Sequence, residues 1–386
     1  MKQALIYGAG NIGRGFIGQL FHLSDYETAF IDVNPATIDA LNKDGQYPIF
    51  ITNGDSYKEY AVTNVRGIMG KDIESVAQAI ADAEIMATAV GVNALPYIAA
   101  PIAHGIRRRM EQGVESPLNI IVCENMIEVD VYLAGLIKKE LNEAEEAYFD
   151  THVALIEPSI GRMVPATPED IAKKNPLAVC VEPYCILPVD KDAFLGEIPE
   201  IVNMVPFSPF AFHIRRKLYM HNMSHALTAY LGARKGYTYI WEAVSDSEIR
   251  AVASAALGEI SEALAKEYEV PLSELLDFSN ELLHRYENKL LGDTVERVGK
   301  DTKRKLSEKD RFVGAIKLCR KHGIEPKHIL SGLAAGLLFA PDSDTNSLEL
   351  TAYLNTNGVK DTLQKYCGID DKDLIEKIEH IYESLK

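Results

Sequence analysis

Gly8-Ala9-Gly10-Asn11-Ile12-Gly13 follows an apolar run, Gln3-Ala4-Leu5-Ile6-Tyr7, and leads into Arg14-Gly15-Phe16-Ile17-Gly18-Gln19-Leu20, which reads as a helix. Strand, glycine loop and helix in that order are what a dinucleotide-binding fold needs. Gly8 permits the tight turn, Gly10 lets backbone approach a pyrophosphate, and Gly13 allows helix and strand to pack closely. Ala9, Asn11 and Ile12 complete the loop, and the phosphate is held at the helix N-terminus. A G-x-G-x-x-G pattern alone also describes a purely structural turn. Here a second strand, Thr28-Ala29-Phe30-Ile31, ends in Asp32 about twenty residues beyond the loop, as the motif requires. An acid at that place accepts from a ribose 2′-hydroxyl and repels a 2′-phosphate, so the expected cofactor is NAD rather than NADP. Asp32 is alternatively only the N-cap of the next helix.

Outward from this unit, Ile85-Met86-Ala87-Thr88-Ala89-Val90 and Asn119-Ile120-Ile121-Val122-Cys123 read as buried parallel strands, each preceded by a helical segment. Ligands of open parallel sheets sit beyond the carboxyl ends of the strands, which directs attention to Val90, Gly91 and Asn125. Asn125 is equally readable as a helix N-cap. Arg107-Arg108-Arg109 reads as a solvated helix surface. After Val153-Ala154-Leu155-Ile156, prolines 158, 165, 168, 176, 183 and 188 surround one short strand, Leu177 to Glu182. That density marks irregular connections, and the domain boundary is expected at 195/196.

From Pro209 the texture changes to long helical periodicity, over Phe210 to Ala233, Asp246 to Tyr268, Ser273 to Tyr286, Asp310 to His322, Pro326 to Leu338, Ser347 to Asn355 and Asp370 to Leu385. The expected fold is therefore an α/β Rossmann-type domain over residues 1–195 followed by a mostly α-helical domain over 196–386, which supplies the substrate side.

The first of those helices carries Arg215-Arg216-Lys217-Leu218-Tyr219-Met220-His221-Asn222-Met223-Ser224-His225. At ~100° per residue, Lys217, His221, His225 and Asn222 fall near ~0°, ~40°, ~80° and ~140°, on one side of the axis. That side is either a proton-handling surface or a solvated polar stripe. Residues 297 to 311 form a second polar concentration, with seven Lys or Arg against three acids. It reads either as a pocket for phosphate or carboxylate or as a solvated basic loop.

The 386 residues carry a formal net charge of -16, which argues against a nucleic-acid or acidic-membrane partner. The five cysteines, at 123, 180, 185, 319 and 367, contain no C-x-x-C pair, and the scattered histidines add no ligand set, so no metal is expected. With no signal segment or membrane-spanning run in view, a cytoplasmic setting is expected, as a monomer or small homo-oligomer.

Hydride exchange between a nicotinamide and a secondary alcohol needs a base for the hydroxyl proton and donors for the developing oxyanion. Lys217 suits the first role if burial or a neighbouring cation lowers its pKa. Asn222 and Asn125 are neutral amide donors suited to the second, and His225 suits orienting the lysine or meeting another substrate hydroxyl.

The glycine loop through Gly18, Ser116 to Met126, Lys217 with Asn222 and His225, and Glu296-Arg297-Val298-Gly299 with Arg304-Lys305-Leu306, taken in order, resemble the polyol-specific long-chain dehydrogenases, the mannitol dehydrogenase family. The chain length resembles its phosphate-using members, which exchange D-mannitol 1-phosphate and NAD for D-fructose 6-phosphate and NADH. The resemblance implies Lys217 as general base, Asn125 and Asn222 at the oxyanion, and His225 as a substrate or orienting contact. It also implies Arg297 and Lys305 in the substrate pocket, with Arg304 beside them; His221 shares the helix face without an assigned role. At Ser159-Ile160-Gly161-Arg162, this chain has Gly161 where the family commonly has an aspartate. A hexuronate or unphosphorylated polyol substrate therefore stands as an alternative. A non-catalytic NAD sensor is the alternative from another class.

Overall fold

The computed structural model describes residues 2–386. The chain divides into two compact units, Met1–Ala211 and Phe212–Lys386. The first extends beyond 195 because residues 196–211 are fastened to it. Asn119 donates through Nδ2 to Leu195 O at 3.1 Å, and Leu195 N donates to Asn119 Oδ1 at 3.0 Å. Beyond them a strand near 187 pairs in parallel with one ending at 207.

Among the described residues eleven strands build the first unit: β1 (Lys2–Tyr7), β2 (Tyr26–Asp32), β3 (Gln46–Asn53), β4 (Ser56–Thr63), β5 (Val65–Met69), β6 (Ile85–Thr88), β7 (Leu118–Val122), β8 (Val153–Ile156), β9 (Val179–Val181), β10 (Leu187–Asp190) and β11 (Met204–Phe207). Six form one parallel sheet in the order β5-β2-β1-β6-β7-β8. Counted along the chain this is 3-2-1-4-5-6, the dinucleotide-binding order, so the crevice lies where β1 and β6 part. The near-continuous apolar runs follow from burial on both faces. One apolar cluster gathers Ile6, Phe16, Leu20, Phe30 and Tyr47, and the other gathers Leu5, Ile31, Ile80, Ile102 and Leu133.

The hairpin of β3 and β4, joined to β9, is a second sheet that the sequence reading did not anticipate. Its turn is Gly54-Asp55, closed by the Asn53–Ser56 pair, with Gly54 at φ +60°, a two-residue hairpin signal that is local in the sequence.

Arg107-Arg108-Arg109 departs from the solvated surface expected of it. Arg109 is 1% exposed and donates to the carbonyls of Ile80, Ala81, Ala83 and Ser116. Helix Ile73–Asp82 ends there, so one guanidinium satisfies carbonyls that a helix terminus leaves without partners. Arg107 and Arg108 do lie outward, on Glu145 and Glu74.

The second unit is helical. Helix Met223–Arg234 runs through its centre, with Ala226, Leu227, Ala229 and Tyr230 fully buried. Helices Ser247–Tyr268, Leu272–Tyr286, Arg311–Lys321, Lys327–Leu337, Thr345–Thr362 and Lys372–Leu385 complete it. Close approach to the central helix uses small residues: a Cβ on Gly336 would stand 2.8 Å from the Tyr230 ring, and one on Gly332 2.9 Å from Leu227.

Replacing Arg109 by Met keeps its bulk and removes all four donated bonds. Its expected cost is roughly 3 kcal/mol of the first unit's stability, read as an early transition in urea unfolding.

Candidate active site

In the first unit the glycine loop is held by hydrogen bonds that leave its outer side open. Gly8 has φ +108°, and a Cβ there would stand 2.5 Å from Ala89 O; on Gly13 it would stand 2.0 Å from Gly8 O. These two glycines are demanded by the fold itself. Gly10 is different: a Cβ there meets nothing within 4 Å, and Gly10 and Asn11 are exposed. A glycine that the protein's own packing does not require, on the open side of a turn at the crevice, is what approach by an outside phosphate calls for.

Asp32 sits at the end of β2 with its carboxylate on the loop. Oδ2 accepts from Ala9 N at 2.8 Å, and Oδ1 accepts from Asn34 N at 2.9 Å. The next helix, Pro35–Asp44, is capped by the Asn34 side chain instead, so the capping alternative for Asp32 is removed. Two bonds leave a carboxylate with acceptor capacity for a ribose hydroxyl. Arg14 is buried below the loop; its Nε donates to Ala9 O at 2.7 Å, its Nη1 to Leu177 O, and burial lowers its pKa.

At the ends of β6 and β7 the buried Glu124 accepts from Thr88 Oγ1 at 2.6 Å and from Val90 N at 2.8 Å. The Val90-Gly91 turn is thereby tied to the residue before Asn125. Gly91 has φ +87°, and both Gly91 and Asn125 are exposed. The following helix, Val129–Lys138, starts after Glu128, so Asn125 is not its cap. Glu124 was within the quoted motif, yet its role as a tie was not legible from spacing.

In the second unit the helix carrying Lys217 is not regular. Residues Ala211–Arg216 are α-helical, Lys217–Asn222 form a π turn, and Met223–Arg234 resume the α form. The ~100° wheel therefore does not apply between Lys217 and Asn222, because i→i+5 bonding widens the turn. Met223 N accordingly reaches Leu218 O. The carbonyls of the wide turn are taken by side chains. Ser224 Oγ donates to Met220 O at 2.6 Å, Tyr286 OH to His221 O at 2.9 Å, and Arg311 Nη1 to Asn222 O at 3.3 Å. Lys217 and Asn222 are half-buried on this turn, whereas His221 is buried.

Burial drives the His221 pKa well below its usual value, and Arg285, His225, Lys217 and Arg311 push it further. His221 is therefore a neutral imidazole amid cations. The His225 ring stacks on Tyr286 with centroids 4.7 Å apart and 10° between planes. Its Nε2 lies 3.3 Å from Asp293 Oδ2, a close contact short of an aligned hydrogen bond. Burial lowers the His225 pKa, and Asp293 opposes that in part.

The basic run resolves into two kinds of residue. Arg297 and Arg304 are exposed and ion-paired, Arg297 with Asp293, and Arg304 with Asp301 at 2.6 Å and Asp310 at 3.1 Å. Lys305 and Arg311 are buried. Lys305 Nζ donates to Val298 O at 2.6 Å; burial, then Arg311 and Arg304, bring its pKa down to about 7. Arg285, Arg311, Tyr286 and Asp293 were not singled out from the sequence, since nothing in their spacing distinguishes them from ordinary helix positions. Among the described residues no cluster of His, Cys, Asp or Glu suits a metal, the five cysteines are free, and no helix is long and apolar enough to cross a membrane.

Comparison with known proteins agrees in both units. The mannitol dehydrogenase Rossmann domain matches residues 2–203, and the mannitol dehydrogenase C-terminal domain matches residues 210–386. A mannitol-1-phosphate 5-dehydrogenase of Caldanaerobacter subterraneus subsp. tengcongensis is 36% identical over 387 aligned residues, covering 100% of this chain and 99% of the relative. One of Thermoanaerobacter pseudethanolicus is 35% identical, covering 100% and 98%. In fold, the chain is similar to a D-sorbitol dehydrogenase solved in substrate-free form, with TM-score 0.84 at 14% identity over 98% of this chain and 92% of that one. It is also similar to Pseudomonas fluorescens mannitol 2-dehydrogenase solved with NAD and D-mannitol, with TM-score 0.75 at 14% identity over 100% and 92%. With a glycine loop built for a dinucleotide, a helical unit built around a lysine turn, and both halves matched along their length, the chain belongs to the mannitol dehydrogenase family.

Proposed function

We propose that this protein interconverts D-mannitol 1-phosphate and D-fructose 6-phosphate, with Lys217 as general base. Its family membership makes it an NAD-dependent oxidoreductase acting on a CH–OH group. The observation that carries the phosphorylated substrate is the full-length likeness to two mannitol-1-phosphate 5-dehydrogenases. The buried Lys305 beside Arg304 and Arg311 supports it physically, because such a cation gains most from an anionic partner. We further propose a cytoplasmic enzyme with neither nucleic-acid nor membrane partners.

NAD, when bound, supplies the hydride acceptor. Gly8, Ala9, Gly10, Asn11, Ile12 and Gly13 would hold its phosphates, Asp32 its ribose, and Val90 and Gly91 its inner half. In polyol oxidation, Lys217 Nζ takes the hydroxyl proton. The Asn222 and Asn125 amides donate to the oxygen as it gains charge and add no charge of their own. His225 meets a second substrate hydroxyl, Arg297, Arg304 and Lys305 hold the phosphate end, and His221 lines the same face.

A second reading, a hexuronate or unphosphorylated polyol dehydrogenase, draws on Gly161. The Tyr184 ring stands 3.3 Å from where a Cβ would be, so the tyrosine occupies the side on which other members carry a carboxylate.

Incubation with NADH and fructose 6-phosphate is expected to oxidise NADH, and Lys217→Ala to lower kcat by on the order of 10³-fold or more. Free fructose and keto acids in the same assay separate the two readings; turnover of those alone sinks the phosphorylated substrate. Gly10→Val is expected to leave the melting temperature in place, since a Cβ has room. It is expected to weaken NADH binding at least ~tenfold, measured by fluorescence titration. The pH profile carries its own sign. Lys305 is half-neutral at about 7, and a bound phosphate dianion draws the proton back, so the complex holds more protons than its parts. Affinity must then fall as pH rises, and KM for fructose 6-phosphate is expected to climb toward ~tenfold per pH unit above 7. Lys305→Met flattens that slope.

A further inference from the structure

We infer that Asp293 is the positioning residue of the active site: its carboxylate holds His225 through Nε2 and Arg297 through the guanidinium, so that Nδ1 of His225 is left as an acceptor for a substrate hydroxyl. This rests on the role proposed above for His225.

Asp293 follows Gly292 at φ +58° and is 9% exposed. Its backbone is fastened on both sides. Ile240 N donates to Asp293 O at 2.9 Å, Val295 N donates to Thr238 O at 2.9 Å, and Tyr239 bridges Thr294. Thr294 Oγ1 then accepts from Arg297 N at 3.1 Å and caps helix Val295–Gly299. The carboxylate thus starts from a rigid base.

Its two oxygens divide their partners. Oδ2 lies 3.3 Å from His225 Nε2, and Oδ1 is paired with Arg297 Nη2. The imidazole has little freedom of its own, being stacked at 4.7 Å on Tyr286, whose hydroxyl is bound to His221 O and Ser224 Oγ.

The tautomer follows from the chemistry of the pair. Burial raises the Asp293 pKa, but His225 and Arg297 more than offset it, so the carboxylate is ionised and offers only acceptors. Burial keeps His225 neutral, and a neutral imidazole has one donor and one acceptor nitrogen. The nitrogen facing the carboxylate must therefore carry the hydrogen, and Nδ1 keeps its lone pair. At 3.3 Å the contact is longer than an ideal charge-assisted hydrogen bond, and catalytic orienting bonds commonly tighten in the substrate complex. A donor at Nδ1 would compete with the Asn222 and Asn125 amides for the lone pairs of the reacting oxygen; an acceptor receives a neighbouring hydroxyl without competing for that oxygen.

The test uses the full-length protein and its Asp293→Asn and Asp293→Glu variants, with ¹⁵N-histidine spectra assigned by His225→Gln. The expected wild-type spectrum shows His225 as the neutral Nε2–H tautomer without substrate. In Asp293→Asn the side-chain amide donates to Nε2 and the Nδ1–H tautomer appears, as a carboxylate-to-amide exchange does beside other catalytic histidines. Turnover of whichever substrate the wild type accepts is expected to fall about 10- to 100-fold in kcat/KM with melting unchanged, and Asp293→Glu to recover part of it. An unchanged tautomer with kinetics within twofold of wild type overturns the inference, even if fructose 6-phosphate is reduced normally. The Nε2–H tautomer and its loss in Asp293→Asn uphold it even if fructose 6-phosphate is not a substrate.

Discussion

The helical unit depends on satisfying the carbonyls of one widened turn. A π turn breaks the i→i+4 ladder, and carbonyls left without partners in a buried setting cost about 1–3 kcal/mol each. Here Ser224, Tyr286 and Arg311 supply donors to Met220, His221 and Asn222. Those donors come from three helices, so the turn exists only once the unit has assembled around it. What the turn gains is reach: Lys217 and Asn222 are displaced relative to His225 from where a regular helix would put them. Two of these donors are also tied to the side chains of interest, since Tyr286 carries the His225 ring and Arg311 stands beside Lys305 in charge.

A comparable division of labour runs through the first unit. Gly8 and Gly13 are fixed by the backbone atoms they approach, and neither needs a ligand to explain it. Gly10 has no such explanation within the protein, which is why it is the better witness to a cofactor. Asp32 and Glu124 act as ties between strand ends, Asp32 from β2 to the glycine loop and Glu124 from β7 to β6. The loops at the crevice are thereby held by carboxylates on rigid strands.

How far the sequence could be read follows from the range of the interactions involved. The glycine loop, the two strands that flank it and Asp32 lie within about thirty residues, and the later parallel strands are short apolar runs, so all obey local rules and are legible, as is the change to helices after Pro209. The hairpin at Gly54-Asp55 obeys a local rule too, a glycine and an aspartate between two strand-forming runs. Arg109 could not have been read: a run of three arginines looks solvated, and only the position of helix Ile73–Asp82 turns one of them inward. The π turn is equally hidden, since its stabilising donors lie 65 and 89 positions away or belong to a serine like any other. Asp293 is of this kind: four residues from Arg297 it looks like a surface helix pair, and only the stacking of His225 on Tyr286 brings it to the site.

Charge is where the two scales meet. A protein of net charge -16 should repel an anionic substrate, yet its helical unit gathers Lys217, Arg285 and Arg311 close enough to His221 to depress its pKa. Buried cations without anions are costly, and the unit manages them in three ways. Some are paired outright, as the buried Arg311 is with Asp310 at 2.8 Å. Some shed their charge, as His221 does and as Lys305 half does near neutrality. What remains is the positive field that Lys217, Arg285 and Arg311 exert on His221, and screening by water is weak at buried groups. A neutral His221 and a half-neutral Lys305 are therefore consequences of the same crowding that makes the pocket attractive to an anion. Asp293 is ionised in that setting because it answers two of these cationic or protonatable partners at once, which gives it an orienting role and not merely a compensating one.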